Sequence, residues 1–100
     1  MHPIWLARLD KARPVVVLTR EEVREARTLV TVAPITSTVR GLSSEVLVGP
    51  RNGVEHDSAI NIDLITTIPR ASLLQPIGTL LDDQEHDLAR AFHSAFDLAP

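Results

Sequence analysis

The sequence predicts a mainly β (α+β) fold: a small, strongly bent sheet or partial barrel of short strands, followed by a C-terminal helix. Three observations predict it. Up to Leu80 the apolar residues come in short runs that end in turn residues. One of these runs, Arg13 to Thr19 (RPVVVLT), is apolar and β-branched at consecutive positions, so it is covered on both faces and central. Only after Asp82 does the period become helical, with Leu88, Phe92, Ala95 and Phe96 forming an apolar stripe suited to core packing.

Taken in order, Pro3 to Leu9 (PIWLARL) is the first strand, with Trp5 packed rather than offered to a ligand. Asp10-Lys11-Ala12 is a short polar connection to the Arg13 strand. Pro14 donates no ladder hydrogen bond, so it belongs at that strand's first position, with Arg13 at its mouth. Thr19 and Glu22 have the spacing of a capping box, predicting a short charged helix from Glu21 to Arg27. Arg20, Arg24 and Arg27 on it suit a solvated face, or else a phosphate clamp. Leu29 to Ile35 is a strand that Pro34 interrupts, and Ser44 to Val48 is the next. Gly49 to Gly53 is a turn cluster. Ser58 to Ile65 alternates, with Ile60, Ile62 and Leu64 on one face and Asn61 and Asp63 on the other. Thr66 to Pro69, Ser72 to Leu74 and Ile77 to Leu80 are three further short segments. Asp82, Asp83 and Glu85 open the last helix, at its positive dipole end.

One hundred residues fit a single domain, 1–100, with one modest core. Without cysteine there is no disulfide framework and no thiolate metal site, which fits a reducing cytoplasm. The N-terminal stretch lacks the pattern of a signal peptide, and no apolar run approaches the ~18 residues of a membrane span. The net charge of −3 argues against bulk nucleic-acid binding, but it is unevenly spread. Residues 1–51 carry eight cations against five acids, and seven of the eight are arginines. The second half carries two cations against eight acids. Arginine-rich charge suits bidentate phosphate recognition. The acidic half suits a basic partner or a second copy.

Chemistry-bearing residues concentrate between Leu29 and Gly49, where Thr36, Ser37, Thr38 and Arg40 precede a turn at Gly41. Several hydroxyls and a guanidinium at a bend with free backbone N–H groups suit a phosphate, although an ordinary hairpin connection has the same composition. If the Arg13 strand and the Leu29 strand are neighbours, Arg13 and Thr36 stand at strand ends and share one cleft. Arginine holds its proton, so Arg13 would stabilise charge on a phosphate rather than act as a base. Such a pair could break RNA without a metal, because the neighbouring 2′-hydroxyl supplies the nucleophile. His56-Asp57 reads either as a base with its orienting acid or as a plain surface loop. His86 and His93 share one side of the helix without an assignable third metal ligand.

R-P-V-V-V-L-T at Arg13 to Thr19 and V-A-P-I-T-S-T-V-R-G-L-S-S-E-V at Val32 to Val46 resemble the MazF/PemK toxins of bacterial toxin–antitoxin pairs. The run from Ser58 to Arg70 is similar to that family's later strand pair, and the resemblance spans nearly the whole chain. It implies an SH3-like partial barrel of twisted antiparallel strands with a C-terminal helix, of the MazF/CcdB kind, and a homodimer. It also implies metal-independent, sequence-selective cleavage of single-stranded RNA, leaving 2′,3′-cyclic phosphate and 5′-hydroxyl ends, with no cofactor. By resemblance Arg13 and Thr36 are the catalytic pair, and Ser37, Thr38 and Arg40 contact RNA. The implied partners are single-stranded RNA and a cognate antitoxin, small, acidic and partly disordered, laid in the same groove. Where many members have a longer loop containing Gly and Glu that covers the site, only Asp10-Lys11-Ala12 stands here. The rival expectation is a non-catalytic, CcdB-like toxin that blocks a protein target on the same fold.

Overall fold

A computed structural model describes residues 1–99, and the run predicted to be central is central. The strands are β1 (Pro3–Arg8), β2 (Ala12–Val17), β3 (Leu29–Thr36), β4 (Glu45–Val48), β5 (Ser58–Asn61), β6 (Thr66–Pro69) and β7 (Leu73–Thr79). They form one antiparallel sheet in the order β4-β5-β3-β2-β1-β7, with β6 also paired to β3. Two helices, α1 (Glu21–Arg24) and α2 (Asp82–Ala95), complete the regular structure, with 3₁₀ turns at Pro50–Asn52, Ile62–Leu64 and Arg70–Ser72.

The alternation of β2 and β3 divides the core between the two faces of the sheet. Val16, Ala33 and Ile35 join Ile4, Ile60 and Leu80 on one face, where Leu88 and Ala91 of α2 pack. Val15, Val17, Val30 and Val32 join Ala7 and Ile68 on the other, under Trp5, Leu9 and Leu73. Of the predicted helical stripe, Leu88 is buried and Phe92 and Ala95 are partly buried. Phe96 lies past the helix end, is exposed, and stacks on Phe92 at a centroid distance of 5.8 Å.

β3 is where the sheet bends. Leu29 to Val32 pair with β6, and Ile35 and Thr36 pair with β5. Pro34 falls between the two ladders, so it lies inside β3 opposite Val15 instead of interrupting the strand. Pro14 corrects the other expectation about proline. It is the third residue of β2, tolerated because β2 pairs with β3 only from Val15 onward.

Other departures have local causes. Thr19 caps no helix: its hydroxyl accepts the Thr31 N–H at 2.8 Å, and α1 is a single turn without a side-chain cap. The predicted strand Ser58–Ile65 stops at Asn61, whose side chain accepts the Asp63 N–H and starts the Ile62–Leu64 turn. Ile60 and Ile62 remain buried, while Leu64 is thrown out to solvent. β7 is one strand rather than two, because register shifts against β1 accommodate Pro76. At the far end of β7, Gly78 meets the 3₁₀ turn backbone to backbone, since a Cβ there would lie 1.7 Å from the Asn52 carbonyl oxygen.

Candidate functional site

Two strand ends meet at the site. β2 and β3 are antiparallel neighbours, paired at Val15 and Pro34, so Arg13 at the start of β2 lies beside Thr36 at the end of β3. Both residues are accessible to solvent, and together they line two clefts. The larger, about 600 Å³, continues past Thr38 and Arg40 to Glu45, Asn61 and Asp63. The smaller, about 400 Å³, runs past Ser37 to Lys11, Glu55 and His56. The structure therefore groups Arg13, Thr36, Thr38 and Arg40 on one side, and places Ser37 on the other. Neither cleft is lined by Arg20, Arg24 or Arg27; Arg24 instead borders a hollow with Glu21, Glu22 and Glu25.

Arg13 has a partner in the polar connection that precedes it. Asp10, in the tight turn between β1 and β2, accepts from Nε at 2.8 Å and from Nη2 at 3.0 Å. The guanidinium holds the Asp10 carboxyl far below its usual range, and Asp10 in turn pushes Arg13 above its ordinary value. Arg13 is thus a fixed cation with three of its five N–H bonds left to offer. The sequence signal was available: an acid and an arginine three apart, spanning a hairpin turn too short to hide either.

Thr36 is also oriented. Its Oγ1 accepts the Thr38 N–H at 3.1 Å, which leaves the hydroxyl proton free to be donated elsewhere. Two backbone N–H groups of the following bend, expected to be free for a ligand, are already taken. Glu45, only 6% exposed, accepts from Arg40 N at 3.2 Å and from Leu42 N at 3.1 Å. Gly41 between them has φ +73°, the left-handed backbone that lets two amides converge on one carboxylate. This nest is filled by the chain's own anion, so the bend presents side chains to a ligand. Arg40 is exposed and, among the described residues, has no ion-pair partner.

His56 and Asp57 are not a dyad. His56 lines the smaller Arg13–Thr36 cleft, whereas Asp57 borders a separate groove with Val39 and Leu47. His86 and His93 are exposed on α2, and no group of three or more acids and histidines among the described residues is arranged to hold a metal ion.

The family model for the "PemK-like, MazF-like toxin of type II toxin-antitoxin system" matches residues 3–96. Endoribonuclease MazF3 of Mycobacterium tuberculosis is 55% identical over 98 residues, covering 98% of this chain and 95% of that protein. The solved structure of the Mycobacterium tuberculosis toxin MazF-mt6 superposes with a TM-score of 0.95 at 54% identity, over 98% of this chain and 99% of the other. A mycobacterial endoribonuclease solved in complex with its cognate antitoxin shares the fold at 19% identity, with a TM-score of 0.88 over 99% of this chain and 95% of that one.

Proposed function

The chain belongs to the PemK-like, MazF-like toxins of type II toxin–antitoxin systems, and on that premise we propose that it is an endoribonuclease that cuts single-stranded RNA between Arg13 and Thr36. The observation that carries the reading is the shared cleft itself: a guanidinium held charged by Asp10 beside a hydroxyl whose proton is free. The 2′-hydroxyl of the RNA attacks the adjacent phosphorus, and the bond to the 5′-oxygen of the next nucleotide breaks. The products are a 2′,3′-cyclic phosphate and a 5′-hydroxyl, and no metal is needed because the substrate carries its own nucleophile. Arg13 stabilises the charge that builds on the non-bridging oxygens. Thr36 donates to one of them and fixes the phosphate for in-line attack.

Thr38 and Arg40 extend the cleft along which the RNA strand runs, with Ser37 on its other flank. Unpaired bases splayed along that cleft are the basis of sequence selectivity. The working form is a homodimer in the cytoplasm, silenced by an acidic, partly disordered antitoxin segment that competes for the same arginines. No helix among the described residues is long and apolar enough to cross a membrane.

Incubation of the purified protein with a long single-stranded transcript in EDTA tests the reading. Cleavage that disappears in both Arg13→Ala and Thr36→Ala supports it. Intact RNA, together with growth arrest on expression in cells, points instead to a toxin of the CcdB kind that blocks a protein.

A further inference from the structure

We propose that His56 takes the proton from the attacking 2′-hydroxyl, a role that rests on the ribonuclease reading above. The chemistry of the site leaves this place open. Transesterification of RNA requires a group that accepts a proton near neutral pH. Arg13 cannot, because Asp10 holds it charged, and a threonine hydroxyl is no base. Glu45 is committed to two backbone amides, and Asp63 accepts the Ser44 hydroxyl. Imidazole is the side chain suited to the task.

The fold brings one to the Arg13–Thr36 cleft. β5 pairs with β3 at its last residue, with Ala59 opposite Thr36. Ser58, next to Ala59 and buried, donates its hydroxyl to the His56 carbonyl at 2.8 Å and so anchors the loop beside the end of β3. His56 thereby lines the smaller cleft with both Arg13 and Thr36, and its imidazole is open to solvent and to a strand of RNA. The charged groups around it are Lys11 and Arg13 from the opposite wall and Glu55 on its own loop, while Asp57 borders the other groove.

In the step itself, a neutral imidazole nitrogen accepts the 2′-hydroxyl proton as the 2′-oxygen bonds to phosphorus. The bond from phosphorus to the 5′-oxygen breaks, and that oxygen leaves with a proton from water. The imidazolium then returns its proton to solvent. No oxidant, metal or second substrate enters.

The test is the pH–rate profile of single-turnover cleavage of the transcript in EDTA. The wild type should show a rate that rises with pH to a plateau. His56→Ala and His56→Asn, checked for folding by circular dichroism, should lose that rise and cut on the order of a hundredfold more slowly at its plateau. Added imidazole should restore part of the His56→Ala rate, and Glu55→Gln should keep the rise. The proposal is overturned if the His56 variants keep both rate and rise, or if Glu55→Gln removes the rise instead. Failure of the broader reading looks different: a wild type that leaves RNA intact, or an Arg13→Ala variant that cuts normally.

Discussion

Asp10 holds Arg13 by two hydrogen bonds, from Nε at 2.8 Å and Nη2 at 3.0 Å, across a three-residue turn. The pair is exposed, so its worth lies in direction rather than stability. With that edge of the guanidinium occupied, three N–H bonds remain for a ligand in the clefts that Arg13 lines. Asp10→Ala should leave Arg13 charged but free to swing, and cleavage should fall by roughly 10²-fold with little change in thermal midpoint. Asp10→Asn, which keeps one acceptor, should lose less. Equal rates for all three proteins would show that Arg13 needs no such support.

Glu45 governs the other wall. Its carboxylate accepts the Arg40 and Leu42 amides and so sets where Thr38 and Arg40 stand over the cleft. Glu45→Ala takes away the charged acceptor of two part-buried amides and should cost about 1–3 kcal/mol. It should also blur the choice of cleavage site, because Thr38 and Arg40, which we propose contact the RNA, lose their fixed conformation. Mapping the cut positions on one transcript tests this. Unchanged cut sites in a folded Glu45→Ala protein would contradict it.

What could be read in the sequence follows from how far each signal reaches. The β-branched run of β2 and the helical stripe of α2 are local patterns, and both elements formed as expected. The approach of Arg13 to Thr36 needed only that β2 and β3 be neighbours. The two prolines misled because proline is excluded only where a neighbouring strand needs its N–H. Where β6 ends and β5 begins along β3 is not written near Pro34. Leu64 misled for a similar reason, since the alternation gave no hint that Asn61 would turn the chain. For His56 the sequence leaves both a base and a plain loop residue open, because only the pairing of Ala59 with Thr36 brings its loop to the cleft.

Stability at the far side of the sheet depends on two amides. Asn52 Nδ2 donates to Gln84 Oε1 at 2.6 Å, and Gln84 Nε2 donates back to Asn52 Oδ1 at 3.0 Å. Their remaining bonds reach Gly49, Leu47, Thr79 and Leu81, joining the 3₁₀ turn, β4, β7 and the start of α2. Gln84→Ala should strand several of these groups in a buried setting and destabilise by about 2 kcal/mol or more. A urea denaturation midpoint indistinguishable from the wild type would refute that.

The N-terminus should loosen in acid. Burial raises the Glu85 carboxyl, but the His2 backbone N–H at 2.8 Å and the His2 ring nitrogen at 2.6 Å outweigh it, with help from the terminal ammonium. Glu85 therefore sits below its usual 4.5 in the folded chain. A depressed carboxyl contributes stability that is fully present above its unfolded value and is lost as pH falls through the folded one. The thermal midpoint of the wild type should accordingly drop more steeply than that of Glu85→Gln between about pH 5 and 3. The difference should be modest and reduced by salt, because the pair is partly exposed. Parallel curves would mean that the tie contributes nothing.

The claim on which the rest depends is that the substrate supplies its own nucleophile between Arg13 and Thr36. A transcript carrying a single 2′-deoxynucleotide at a mapped cut site, incubated with the protein in EDTA, tests it most directly. The expected result is no cleavage at that position, normal cleavage at the other sites, and fragments ending in 2′,3′-cyclic phosphate with 5′-hydroxyl partners. Cleavage persisting at the deoxynucleotide, or fragments bearing 5′-phosphates, would contradict the account.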